Sequence, residues 1–111
     1  MSYQPPSIIR QAEARRFMEG PEECREYART GKLWFGTSTL KPGERGDIDV
    51  GHPNSQEVFF VCRGHVKLFD ETQYHELFEG DAILIPEGVP HTLLNVGKEV
   101  ALVAWAGAPG E

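Results

Sequence analysis

One carboxylate in the sequence stands where a buried charge is costly. Glu57 precedes the apolar stretch Val58-Phe59-Phe60-Val61-Cys62, and it shares one face of a predicted strand with Phe59 and Val61. A carboxylate that is buried without a partner carries a large free-energy penalty. The sequence therefore predicts a cation close to Glu57.

A second stretch combines turn residues with a histidine at fixed spacing. Gly80 would turn the chain into a strand, and Pro86 and Gly88 would shape the next turn. His91 would then enter the following strand with its side chain aimed inward. Residues 80–95, which end on Asn95, resemble the second sequence motif of the cupin family at all five of its positions.

Residues 43–64 resemble the first cupin motif, which contains two histidines, a glutamate and a glycine. With Glu57 at the glutamate position, His52 falls on the second histidine and Val50 on the first. A competing register takes His52 and Asn54 as the two histidines, but it leaves Glu57 two residues too close. We therefore prefer the register that includes Val50.

The resemblance implies a small antiparallel jelly-roll barrel that often dimerises and a divalent metal held by three histidines and a glutamate. Carried over residue by residue, the ligands are His52, Glu57 and His91, and the fourth is missing. Two histidines and a carboxylate suit Fe, Mn, Ni or Zn, and a missing ligand opens a position for water or substrate. Asn54 or Gln56 could be a weak ligand or support one by a hydrogen bond.

The same residues also allow a metal-free pocket. Replacement of a ligand by Val50 is how loss of the metal would appear in the sequence. His52 and His91 would then be polar residues of a ligand pocket, and Glu57 would need a hydrogen-bond partner. The cost of burying Glu57 favours the metal, and no organic cofactor is indicated.

Other side chains are weaker candidates for the site. Trp34, Phe59 and Trp105 lie on predicted strands and could line a pocket, although strand aromatics are more often core residues. His75 could share the inward face of its strand with Leu77 and support a ligand.

The elements that must position these residues are short strands separated by turns, since 12 glycines and 8 prolines punctuate the chain. We predict an all-β fold, a single cupin barrel of the RmlC-like jelly-roll type. The predicted strands are Leu33 to Thr39, Asp47 to Val50, Glu57 to Cys62, His65 to Phe69, Tyr74 to Phe78, Ala82 to Ile85, His91 to Asn95 and Glu99 to Trp105.

The first part of the chain has a different composition. Residues 11–29 favour helix, interrupted by Gly20-Pro21. We predict a helical or extended arm over residues 1–31 that packs on a barrel formed by residues 32–111.

Of the two cysteines, Cys62 is expected to be buried, and Cys24 is too close to glutamates to be a reactive thiolate.

The strand that begins at Glu57 is apolar on both faces and must be covered on both. In a chain of 111 residues, the second cover is expected to be another copy of the same chain. Val58 and Phe60 are the candidate residues of this homodimer interface.

Composition excludes several classes of function. The formal net charge of −6 argues against a nucleic-acid partner. The sequence shows neither a membrane-spanning stretch nor a signal peptide, so we expect a cytoplasmic protein with free thiols.

Two hypotheses for function follow. The first is a metal-dependent enzyme that acts on a small, oxygen-rich or acidic metabolite as an oxygenase, lyase or isomerase. The second is a non-catalytic or metal-free cupin that binds a small molecule such as a sugar.

Overall fold

The computed structural model describes residues 3–111, and nearly all of its regular structure is β-strand. Helical backbone within this range is limited to one 3-10 turn, Gln11–Glu13. The strands of this range are, in chain order, β1 Arg15–Glu19, β2 Glu22–Arg29, β3 Trp34–Leu40, β4 Gln56–Arg63, β5 His65–Phe69, β6 Tyr74–Phe78, β7 Ala82–Ile85, β8 Thr92–Asn95 and β9 Ala101–Ala108. The predicted all-β class is confirmed.

The strands form two antiparallel sheets. The larger sheet has the order β1-β2-β3-β9-β4-β7, and the smaller has the order β6-β5-β8. Single bridges join Arg45 to Leu94 and Asp49 to His91. The connection between β3 and β4 therefore lies along the free edge of β8 and continues the smaller sheet.

Side chains that alternate along the strands form the core between the sheets. On β4, Glu57, Phe59 and Val61 are buried, whereas Val58 and Phe60 face outward. Burial of a Val or Phe side chain contributes about 1.5–3 kcal/mol, so Phe59 and Val61 each stabilise this core. The buried apolar cluster comprises Cys24, Trp34, Leu40, Phe59, Val61, Val66, Leu68, Leu77, Ile85, Leu93, Ala101, Val103 and Trp105.

The helical alternative for residues 11–29 is wrong, and the extended one is observed. Strands β1 and β2 form a hairpin across Gly20-Pro21, and β2 pairs with β3. Cys24 and Glu26 are buried, whereas Arg25 between them is only partly so, which is the period of a strand. Pairing with β3 therefore outweighs the helix propensity of this segment.

Two further expectations also fail. Residues 47–50 form no strand and contribute only the bridge from Asp49, because the left-handed Gly51 (φ +92°) ends the extended backbone there. Cys62 is exposed, because it lies on the outward face of β4 with Phe60.

No helix among the described residues has the length and apolar character needed to cross a membrane.

Candidate functional site

Asp49, Glu57 and His91 each place one donor atom within 4.8 Å of the other two, and His52 lies beside the two carboxylates of this group. Glu57 Oε1 lies 3.2 Å from His91 Nε2 and 3.7 Å from His52 Nε2. Asp49 Oδ2 lies 3.6 Å from His52 Nε2 and 3.7 Å from His91 Nε2. Ligand atoms that bind one metal ion at about 2.0–2.2 Å lie about 2.8–3.6 Å from one another. The observed separations are close to that range.

The two carboxylates are each oriented through their second oxygen. Trp34 Nε1 donates to Glu57 Oε2 at 3.0 Å. The backbone N–H of Gly51 donates to Asp49 Oδ1 at 2.9 Å. Each carboxylate therefore keeps one oxygen for the centre of the site.

The two imidazoles are oriented in the same way. His91 Nδ1 lies 3.0 Å from the carbonyl oxygen of Val89, and His52 Nδ1 lies 2.5 Å from Glu111 Oε1. A carbonyl or an ionised carboxylate can only accept, so each Nδ1 carries the hydrogen. In the neutral form, each Nε2 then presents a lone pair to the site, as a metal ligand does.

Backbone contacts bring these residues together. Asp49 and His91 exchange two backbone hydrogen bonds of 2.9 Å, and Gly88 N donates to His52 O at 2.9 Å. A Cβ on Gly51 would lie 2.8 Å from the carbonyl oxygen of Val89. Glycine is therefore required at position 51, where the two connections pack against each other.

The centre of the site contains buried polar atoms without partners. Glu57 is 5% and His91 3% exposed, and apart from their 3.2 Å contact with each other, Glu57 Oε1 and His91 Nε2 have no hydrogen-bond partner within residues 3–111. Burial lowers the pKa of His91, but Glu57, the Val89 carbonyl and Asp49 outweigh it and leave the pKa raised. Because an unsatisfied buried polar group costs about 1–3 kcal/mol, a shared cation would relieve both atoms.

A cavity of about 210 Å³ leads to this site. Three donors, Asp49, His52 and Glu57, line it, while His91 lines a small adjoining cavity. The other lining residues are Arg15, Phe17, Glu19, Cys24, Glu26, Arg29, Trp34, Phe59 and Trp105.

The structure brings some of the predicted site residues together and leaves others apart. His52, Glu57 and His91 meet as described, and Trp34, Phe59 and Trp105 all line the cavity. Asn54 and Gln56 are exposed because they lie in the turn before β4 and on its outward face. His75 is bound to Asp70 at 2.8 Å on a separate part of the surface, away from the cavity.

Asp49 is the residue that sequence reasoning missed. The preferred alignment with the first motif places the missing histidine at position 50, but Val50 is 82% exposed and points away from the site. The preceding residue supplies the donor instead, because its pairing with His91 turns its side chain inward. A carboxylate three residues before His52 was the available signal.

Removal of the Glu111 carboxylate should weaken metal binding by about 10–100-fold, the usual effect of losing a partner of a ligating histidine. We expect Glu111→Ala to show this loss and Glu111→Gln, which keeps an acceptor oxygen, to recover part of it. Competition with a chelator would measure the dissociation constant. The exposed Glu87→Ala is the control, and equal affinity in all four proteins would contradict the role of Glu111.

A second buried polar cluster lies behind the cavity wall. Ser38 Oγ donates to Glu22 Oε2, and Trp105 Nε1 donates to Ser38 Oγ at 2.9 Å. Burial raises the pKa of the Cys24 thiol, and Glu22 raises it further. The prediction that Cys24 is not a thiolate nucleophile is consistent with this environment.

The metal-free protein should lose stability as the pH rises from about 4.5 to about 7. Burial, with the charges of Glu22 and Asp49, raises the pKa of Glu19 from 4.5 to about 7, and burial also raises the pKa of Glu22. A carboxyl group whose pKa is higher in the folded state than in the unfolded state stabilises the fold fully at pH values below its unfolded pKa. This stability is lost as the pH rises through the folded pKa. After allowance for solvent screening at the half-buried Glu19, we expect a loss of about 1–2 kcal/mol.

Urea unfolding in the presence of a chelator would measure this slope. Glu19→Gln should flatten it, since the amide does not titrate, whereas the exposed Glu13→Gln should not. A free energy of unfolding that is constant over this pH range would contradict the prediction.

Comparison with known proteins agrees with this architecture. Residues 36–107 match the family model described as "Cupin domain". Protein SchB of Streptomyces halstedii is 31% identical over 72 residues, which cover 65% of this chain and 51% of SchB. The chain thus spans about half the length of this curated relative.

Solved structures share the fold at low sequence identity. KdgF from Halomonas sp. superposes with a TM-score of 0.78 at 18% identity, covering 96% of both chains. A predicted oxalate decarboxylase from Thermotoga maritima has a TM-score of 0.78 at 17% identity, covering 93% of this chain and 99% of its own. The solved structures show a shared fold, and the match of residues 36–107 to the family model shows that the chain belongs to the cupin family.

Proposed function

We propose that this chain is an enzyme that binds one divalent transition-metal ion, iron, manganese, nickel or zinc, and acts on a small, oxygen-rich acidic molecule. The ligands would be Asp49, His52, Glu57 and His91. The observation that carries the proposal is the pair of buried, unpartnered atoms Glu57 Oε1 and His91 Nε2, which face two further donors. Imidazole and carboxylate together suit these four metals.

The charges of the donor set match a dication. Asp49 and Glu57 contribute two negative charges, and His52 and His91 contribute neutral nitrogen atoms. An ion bound there would polarise a carboxylate, carbonyl or hydroxyl group of the substrate. Phe59 and Trp105, both buried, form an apolar part of the wall of the same cavity.

Glu19 is the residue we propose to move a proton. It lines the cavity, and no side-chain hydrogen bond or ion pair holds its carboxylate among residues 3–111. A free carboxylate beside a polarised substrate can accept a proton as a general base. Four protein donors leave less room for substrate and O₂ together, so we favour a lyase or isomerase over an oxygenase.

Elemental analysis of protein purified without chelators tests the proposal. We expect about one metal ion per chain, and loss of turnover on chelation with recovery on addition of one particular metal. Absence of metal after incubation with each of the four ions would overturn the proposal in favour of a metal-free binding pocket. Turnover that chelators do not affect would indicate metal-free catalysis.

We also propose that the larger sheet pairs with a second copy of the chain. Its outer face carries a row of apolar residues across four adjacent strands, since Phe35 and Val58 both pair with Ala106, and Val58 pairs with Leu84. Phe35, Val58 and Leu84 are all exposed. This row contains no charged residue, and an uncharged apolar patch is suited to a self-complementary interface between two copies.

Phe60→Glu should convert the dimer to a monomer. Phe60 is 44% exposed on the same face, next to Ala82 and Ala104 in the neighbouring strands. A two-fold interface would bring two added carboxylates into an apolar contact. Sedimentation velocity at micromolar concentration should show the change, with Glu71→Gln as a surface control. A wild-type monomer would contradict the interface.

A further inference from the structure

The cavity contains cationic groups that the proposed metal chemistry does not use. Arg15 and Arg29 line it together with Glu26, which is 8% exposed. Arg29 donates from Nε and Nη2 to the two oxygens of Glu26 at 3.1 and 2.8 Å. Arg15 Nη2 lies 3.5 Å from Glu26 Oε2. Within this group of three side chains, one carboxylate between two guanidinium groups leaves one positive charge and several N–H groups free.

A β-bulge places Arg29 on the cavity side of β2. Glu26 faces inward, so strict alternation would put Arg29 on the outer face. The register with β3 shifts after Glu26, so that Ala28 pairs with the exposed Phe35 and Arg29 pairs with the buried Trp34. Bulges commonly re-aim a side chain beside a functional site.

Aromatic contacts hold both guanidinium groups. The Cζ atom of Arg29 lies 5.4 Å from the ring centroid of Trp34, and that ring lies 4.6 Å from the ring of His52. Arg15 Cζ lies 4.4 Å from the ring centroid of Phe17. Because the Trp34 ring contacts both residues, Arg29 Cζ is no more than about 10 Å from the His52 ring.

We propose that Arg15 and Arg29 form a subsite for a carboxylate at the far end of the substrate, a role that rests on the proposed function of the metal site. Guanidinium groups bind carboxylates through paired N–H donors. With C–C bonds of about 1.5 Å, the chain of a five-carbon acid fits within this upper limit of about 10 Å. The substrate class is a small diacid with a chelating hydroxy or keto acid at one end.

Two probes of equal carbon number test this subsite. 2-Hydroxyglutarate and 2-hydroxypentanoate share the chelating group, and only the first has a distal carboxylate. Calorimetric titration of the manganese-loaded protein should show about tenfold tighter binding of 2-hydroxyglutarate, since about 1.4 kcal/mol is typical of one charge-assisted contact. Arg29→Gln and Arg15→Gln should each reduce the ratio of the two affinities toward one.

The chain offers matched controls for each variant. Arg16 and Arg25 lie on the outer face and contact Glu23 at 2.9 and 3.5 Å. Arg16→Gln and Arg25→Gln should retain the full preference. Arg29→Lys keeps the positive charge but loses the paired N–H donors of the planar guanidinium group. We therefore expect an intermediate preference for 2-hydroxyglutarate.

The outcomes separate this inference from the metal proposal. Equal affinity of wild type for the two acids, measured with and without manganese, overturns the arginine subsite whatever the metal content. A preference that survives in the Arg15→Gln/Arg29→Gln double variant also overturns it. A preference that depends on the arginines in protein that retains no metal supports the subsite and refutes only the metal site.

Discussion

Glu57→Ala and His91→Ala should each abolish metal retention, reducing the bound metal from about one ion per chain to a trace. Each substitution removes one of the two buried donors that face each other at 3.2 Å. The loss should exceed the 10–100-fold typical of residues that only support a ligand. Metal analysis after gel filtration measures it directly.

The neighbouring exposed residues are suitable controls for these two variants. Asn54→Ala and Gln56→Ala should retain the metal, because neither side chain reaches the site. Addition of metal should raise the melting temperature of wild type and of the controls, since a ligand that binds only the folded state stabilises it. The same rise in Glu57→Ala or His91→Ala would contradict the proposed ligand set.

Asp49→Ala should weaken metal binding by more than about 100-fold, because it removes a charged donor rather than a supporting contact. Asp49→Asn is the more selective variant, because the amide keeps an oxygen acceptor for Gly51 N–H but removes the negative charge. We expect it to lower affinity while the melting temperature of the metal-free protein changes little. Chelator competition and thermal unfolding measure these two effects.

The variant Val50→His distinguishes the two candidates for the fourth ligand, which are position 50 from the sequence motif and Asp49 from the structure. If Val50 occupied the missing histidine position, this substitution would tighten metal binding. Because the Val50 side chain points to solvent, we expect no change in the dissociation constant. A tighter site in Val50→His, together with no effect of Asp49→Ala, would restore the assignment based on the motif.

Residues with a strong local signal could be predicted from the sequence. The sequence divided β4 into one face with Glu57 and Phe59 and another with Val58 and Phe60, because successive side chains of a strand point to opposite faces. Both faces are apolar, so only the structure shows that the face with Glu57 points inward. Strands β5, β6 and β7 have their predicted bounds, since glycine, proline and polar turns flank them. His91 follows a turn whose shape depends on Pro86 and Gly88.

The features that were missed depend on contacts between distant segments. Asp49 faces the site because one bridge ties it to His91 outside any regular strand. The hairpin of β1 and β2 is rich in Glu, Arg and Ala, and its strand conformation comes from pairing with β3. A bulge is invisible in a simple alternation pattern, so the position of Arg29 on the cavity side of β2 could not be predicted.

The origin of the cavity wall has a consequence for how specificity can diversify. The four donors lie within residues 36–107, the part that matches the family model, whereas Arg15, Glu19, Glu26 and Arg29 all come from the β1–β2 hairpin before it. Under the proposed function, the metal donors therefore come from one piece of chain, and the base Glu19 and the arginine subsite come from another. Exchange of the hairpin would be a route to a new acid preference if the carboxylate at position 19 is kept, because the inherited donor set is left untouched.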